Sequence, residues 1–142
     1  MELFETIDHN SLREFYQQNG LEVSDDILVD DGAVFSIKCV EGGKTILAAT
    51  LSYRFKVFIL DYVAVEPDYR KRGLGEKAVT AVKVKAKELG AKKLFITAKN
   101  PEFFKRIGFL EGSPDGVDMN ADCLGCPEFN NGCRKLPMYI DL

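Results

Sequence analysis

No part of this 142-residue chain stays apolar for the roughly 20 residues that a bilayer-crossing helix requires. A membrane span is therefore not expected. A surplus of positive charge is also missing. The formal charge is -3, whereas phosphate backbones are held mainly by excess Lys and Arg, so an extended nucleic-acid surface is not expected either. Histidine is reduced to His9, which reads as a surface residue near a helix start. The opening MELFETIDHN is acidic and does not lead from a cationic segment into a long apolar stretch. The expectation is a chain without a signal peptide, placed in the cytoplasm. Four cysteines in that compartment point to free, metal-bound or redox-active thiols rather than structural disulfides. Internal repeats and flexible linkers are lacking, so residues 1–142 are expected to form a single domain with room for a core.

What is present is a regular alternation of elements. Asn10 or Ser11 is placed to cap a short helix through Leu12, Phe15 and Tyr16 that ends at Asn19-Gly20. Residues 33–40 and 45–53 read as strands joined by the turn Glu41-Gly42-Gly43-Lys44, an antiparallel meander. VFILDYVAV, residues 57–65, is the most apolar segment and has the length of a strand buried on both faces, interrupted only by Asp61 and stopped by Glu66-Pro67. Residues 74–89 carry the helical period in Ala78, Val79, Val82, Ala86 and Leu89, with Gly90 as the stop. Residues 94–98 form the next strand, so strand, helix and strand imply a right-handed crossover and a parallel pair. A short helix over 100–106 and strands at 109–110 and 136–140 complete the chain.

Between strand and crossover helix lies YRKRGLGE, residues 69–76. Gly73 and Gly75 let the backbone approach a ligand closely. The first amides of the following helix have no intrahelical partner, and with the positive end of the helix dipole they favour a phosphate or pyrophosphate. Arg70, Lys71 and Arg72 add positive charge at the same place.

A strand, the R-x-x-G-x-G loop from Arg70 to Gly75, a helix, a strand and then FFKRIGF together resemble the GNAT superfamily of acetyl-CoA-dependent N-acetyltransferases. The likeness covers roughly residues 30 to 110 and the final strand. It implies a central mixed, twisted sheet, antiparallel at its N-terminal side and with the parallel pair at the CoA site, flanked by helices. It further implies that the backbone of Lys71, Arg72, Gly73, Leu74, Gly75 and Glu76 holds the pyrophosphate of acetyl-CoA, and that Val63 and Val65 pair with the pantetheine arm. FITAKNPEFFKRIGF also looks like the acetyltransferase domains of N-acetylglutamate synthases, which tilts the acceptor toward a small amine or amino acid. The expected partners are acetyl-CoA and such an acceptor, with a homodimer left open.

Asp61 stands where many members of this superfamily carry a glutamate that takes the amine's proton. A spacing of two places Asp61, Val63 and Val65 on one strand face, and a carboxylate in apolar surroundings is the better base. A structural pairing with a cation or backbone amides, or a place at a bulge, is the competing role for Asp61. Phe104 departs from the pattern, since family members often place a tyrosine there as proton donor to the departing thiolate. It is expected to pack against the thiol end of the cofactor or in the core. The departure keeps a second function in view, a non-catalytic CoA-binding or metal- and redox-sensing module on the same fold.

Residues 111–133 form an insertion before the last strand that is crowded with Gly, Asp, Asn and Pro, a length unusual for a structureless connection. Cys123, Cys126 and Cys133 within it are spaced C-x2-C-x6-C, and the first pair has the spacing of a metal knuckle. Zinc would need a fourth ligand, for which Cys39, His9, Asp118 or Asp122 are on offer, and an iron–sulfur cluster is the other metal option. A redox-active CxxC and inert thiols are the alternatives. If metal is held, protein purified without added ions carries it stoichiometrically and loses it when each cysteine is changed to serine in turn; the absence of stoichiometric metal refutes it.

Overall fold

The computed structural model describes residues 3–21, 32–54, 56–70, 72–98, 100–114 and 136–142. The strands are β1 (Phe4–Thr6), β2 (Ala33–Glu41), β3 (Lys44–Arg54), β4 (Val57–Val65), β5 (Lys93–Ala98), β6 (Leu110–Glu111) and β7 (Leu136–Asp141). The α-helices are α1 (Arg13–Gln18), α2 (Leu74–Glu88) and α3 (Pro101–Arg106), with 3-10 turns at His9–Leu12 and Pro67–Tyr69. The described strands form one sheet in the order β1-β2-β3-β4-β5-β7-β6. None of the described helices is long and apolar enough to cross a membrane.

The meander follows from its turn chemistry. Gly42 and Gly43 take φ values of 61° and 77° between the paired residues Glu41 and Lys44, the left-handed pair that a two-residue hairpin demands. From Leu47 to Leu51 β3 then alternates. Leu47, Ala49 and Leu51 join the core beneath Ala78, Val79, Val82 and Ala86 of α2, while Ala48 packs with Leu12, Phe15 and Tyr16 around α1 on the opposite face. Thr50 belongs to the α1 face, where its Oγ1 lies 2.7 Å from the Tyr16 hydroxyl and 2.8 Å from Ser36 Oγ. Burial pushes the Tyr16 phenol far up from its ordinary range, so it stays a neutral member of this network.

The crossover is as the periodicity predicts: β4 and β5 are parallel and α2 connects them. Their contact is short, limited to Phe58↔Leu94 and Ile59↔Phe95. Past that rung the strands part, because β5 is drawn into six pairs with β7 on its other side and α3 begins directly beyond it. This corrects one expectation for β4. It is not buried on both faces, since only Ile59, Leu60 and Ala64 are fully buried and its far half borders the gap.

Two smaller corrections concern the start of the chain. β1 was not foreseen, and three residues are too few to show a period. In the turn before α1 the capping side chain is Asp8 rather than Ser11, its Oδ1 accepting from Ser11 N–H at 3.3 Å while its carbonyl accepts from Ser11 Oγ–H at 2.8 Å; the side chain of Asn10 lies outside what is described.

The core closes around aromatic edges at the end of α3: Phe104 meets Phe103 at 4.9 Å and Phe109 at 5.4 Å, both edge-on. Phe109→Ala should lower unfolding free energy by about 3–5 kcal/mol, read from denaturant midpoints. Leu110→Ala beside it, on a side chain 57% exposed, should stay within about 0.5 kcal/mol of the parent.

Candidate active site

β4 ends at Val65 and the chain turns through Pro67–Tyr69 to Gly73, which caps α2 in the left-handed conformation with φ 75° and ψ 10°. Gly73 offers no side-chain cap. The first bond of the helix runs from Lys77 N–H to the Gly73 carbonyl at 3.2 Å, so the amides of Leu74, Gly75 and Glu76 lie ahead of the ladder. A Cβ built on Gly73 meets nothing within 4 Å, so the space in front of the turn is clear. These donors, at the positive end of a 15-residue helix, suit the pyrophosphate of a nucleotide coenzyme.

The amides open toward the gap between β4 and β5. A cavity of about 240 Å³ lies there, walled by Val63, Ala64 and Val65 of β4, Gly75 of α2 and Phe103 and Phe104 of α3. Val63 and Val65 therefore reach the fork, and their backbone edge toward β5 has no strand partner among the described residues. Gly75 is needed for proximity, since a Cβ there would lie 3.3 Å from the Phe103 ring. Phe103, Asn19 and Asn100 line this cavity without having been singled out in the sequence. Adjacent phenylalanines hinted at the first; which one faces the gap follows only from α3 turning Phe104 into the core.

Phe104 is 5% exposed and packs in the core, as one of its two expected roles has it, and it also lines the cavity. The basic cluster is less uniform than the sequence suggests. Arg70 folds back, its Nε–H donating to the Val65 carbonyl at 2.9 Å and a terminal nitrogen donating to Asn19 Oδ1 at 3.2 Å. It ties the end of α1 to the end of β4 rather than pointing freely at an anion. Arg72 stacks over Tyr69 at 5.0 Å. Lys71 lies outside the described residues, as do Cys123, Cys126, Cys133, Asp118 and Asp122. Cys39, offered as a fourth metal ligand, is 1% exposed within the α2-side core, where burial pushes its thiol up, away from the thiolate a metal requires.

Asp61 requires a correction. Thr50 pairs with Tyr62 and Leu51 with Leu60, so Asp61 is the extra residue of a β-bulge. On the α2 face the sequence of core contacts runs Phe58, Leu60, then Val63 and Val65, with an interval of three where the bulge falls. Asp61 therefore does not share a face with Val63 and Val65. It lies toward α1, near enough for its charge to act on Tyr16. Nor are its surroundings apolar. Arg54, at the end of β3, grips both carboxylate oxygens, one through NH2 at 2.7 Å and the other through NH1. The side chains are 25% and 9% exposed for Arg54 and Asp61. The structural pairing and the bulge weighed for Asp61 both occur. Arg54 was missed because its partner is seven residues away across a turn, with no helical spacing to announce it.

The profile of the acetyltransferase (GNAT) family matches residues 2–109, and the chain belongs to that family. Among curated relatives, an uncharacterized N-acetyltransferase of Chlorobaculum tepidum is 28% identical over 92 residues, 63% of this chain and 59% of that protein. An amino-acid acetyltransferase of Serratia proteamaculans is 29% identical over 107 residues, 72% of this chain and 23% of that protein. The chain thus spans less than two thirds of the length of either. Among solved structures, N-acetylglutamate synthase of Neisseria gonorrhoeae, complexed with coenzyme A and N-acetyl-glutamate, superposes at TM-score 0.72 with 19% identity, covering 100% of this chain and 35% of that one. A GNAT acetyltransferase of Elizabethkingia anophelis with acetyl-CoA bound gives TM-score 0.70 at 18% identity, covering 99% and 97%. At these identities the likeness establishes the fold, and it is the mixed sheet that the loop motif implied.

Gly75→Val should fill the approach to the α2 amides and press on Phe103. The expected result is an affinity for CoA about tenfold weaker or worse, a loss of about 1.4 kcal/mol, measured by calorimetry, with a melting temperature near that of the parent.

Proposed function

We propose that this chain transfers the acetyl group of acetyl-CoA to a primary amine of a small molecule. One observation carries the proposal: the uncapped N-terminus of α2 opens onto the cavity where β4 and β5 part, so a site for pyrophosphate runs into a slot for an extended arm. The residues fit the coenzyme. Gly73, Leu74, Gly75 and Glu76 supply main-chain donors, Val63 and Val65 supply an unpaired strand edge, and Phe103 and Phe104 supply an apolar wall. The gonococcal and Elizabethkingia structures, with coenzyme A and acetyl-CoA respectively, support this reading of a shared fold.

Transfer asks for a neutral amine within reach of the thioester carbonyl. The nitrogen forms a bond to the acetyl carbon, the carbon–sulfur bond breaks, the surplus proton passes to a base and the sulfur leaves as the CoA thiolate. Asp61 is our candidate base. It lies on β4 between the cofactor cavity and the start of the strand, and Arg54 holds its carboxylate in one orientation. Phe104 has no hydroxyl to give the leaving sulfur, but a CoA thiolate leaves near neutral pH without a strong donor.

The competing reading, a module that binds CoA without turning it over, is favoured by two observations: the missing hydroxyl at Phe104 and the engagement of Asp61 by Arg54. A screen of primary amines with acetyl-CoA, reading thiol release, separates the two. Turnover of at least one amine is expected, and Asp61→Asn should lower kcat by about 100-fold or more with CoA affinity retained. If Asp61→Asn does not fold, Asp61→Glu serves, where kcat is expected to fall with CoA affinity retained. Tight CoA binding without turnover of any amine would establish the binding module instead.

A further inference from the structure

A second and larger cavity, about 650 Å³, lies at the opposite end of β4 from the α2 amides. Its volume is that of a small-molecule site. Phe58, at a shared rung of the parallel pair, and Val57 form part of its wall, whereas the cofactor cavity begins at Val63. Asp61 falls between the two along the strand. The same strand thus carries a slot for the coenzyme arm, then a bulged carboxylate, then an unassigned pocket.

The lining is of one chemical kind on its walls and another at its margin. Phe95 and Tyr139 meet at 6.0 Å on the face of the sheet away from α2, and Tyr53 and Phe58 meet at 4.9 Å on the α2 side, so each face contributes one aromatic pair to the lining. Lys56, Lys92 and Lys93 contribute the charge, and acidic side chains are absent from the described lining. Lys93 is partly engaged, 4.4 Å over the Tyr139 ring and 3.4 Å from Asp141. Lys56 and Lys92 make no ion pair among the described residues. Lys56 is also the one described non-glycine residue with positive φ, at 63°. Such a conformation is costly unless the turn around it enforces it.

From this placement we infer that the cavity is the acceptor pocket, and that its acceptor is a primary amine with an aromatic body and an anionic group at the far end from the amine. The inference rests on the transferase reading above. The amine must reach Asp61, whereas the lysines stand at the other end. With Ile59 paired to Phe95, Asp61 and Lys93 lie about four residues apart along the strands, or roughly 13 Å at about 3.3 Å per residue. A monocarboxylic α-amino acid, with its only carboxylate on the carbon that bears the amine, cannot serve both ends, and an acidic one reaches further but offers the rings no aromatic body. An arylalkylamine with a remote carboxylate can do both.

Matched acceptors test this on the full chain with acetyl-CoA. 4-(2-Aminoethyl)benzoate should give a kcat/KM at least about tenfold above that of phenethylamine, which lacks the anion, above that of phenylalanine, whose only anion adjoins the amine, and above that of glutamate, which lacks the aromatic body. In a Lys92→Gln, Lys93→Gln double variant the ratio between 4-(2-aminoethyl)benzoate and phenethylamine should collapse toward one. Should that variant not fold, Lys56→Gln is read in the same way. If amines are acetylated but the aromatic carboxylate has no advantage, or if glutamate is preferred, the inference is overturned and the transferase reading stands. If CoA binds and no amine turns over, both fall.

Discussion

Beyond Ile59 and Phe95 two neighbouring parallel strands cease to share hydrogen bonds, and the rest of the site depends on that divergence. An unpaired backbone edge inside a fold must be satisfied by water, by side chains or by a ligand. Here the open edge of β4 faces a cavity, and the helix that follows β4 contributes a second set of unpaired groups, the amides of Leu74, Gly75 and Glu76. A coenzyme with an amide-bearing arm and a diphosphate answers both needs at once. The two glycines of the loop matter for separate reasons: Gly73 because the helix is capped from a left-handed residue, Gly75 because Phe103 stands 3.3 Å from where a side chain would begin.

The bulge at Asp61 is the second constraint. By inserting one residue it turns the carboxylate away from the face of Val63 and Val65 and toward α1, where Arg54 takes hold of it and Tyr16, Thr50 and Ser36 form a buried polar chain nearby. Bulges of this kind re-aim single side chains next to functional sites. Arg70 adds a tie between the same two elements from above, linking Val65 and Asn19. The ends of α1 and β4 are thereby fixed to one another beside the cavity.

Much of this was legible in the residues. β4 and α2 are long and periodic, and Gly42-Gly43 can form only a tight turn, so the meander, the crossover and the cradle followed from local chemistry. The loop motif added the fold family and the proposal that the polyphosphate is that of CoA. What was not legible shares one cause, that it depends on pairing across strands. A bulge is a mismatch between two strands and leaves no mark in either one alone; hence Asp61 was assigned to the wrong face and Arg54 passed unnoticed. The burial of Cys39 and the turning back of Arg70 toward Val65 likewise follow from neighbours distant in the chain or from local geometry with no periodic signature. β1 is simply too short to signal itself. The thiols of Cys123, Cys126 and Cys133 fall outside the described residues, and their role stays a proposal resting on spacing.

Amide NMR of the protein titrated with CoA tests the central claim most directly. Resonances of Leu74, Gly75 and Glu76 should move markedly as their N–H groups take up the diphosphate, together with those of Val63 and Val65, while Gly90 and Ala91 at the far end of α2 stay in place. No displacement at the start of α2, or displacements confined to the far end, would contradict it.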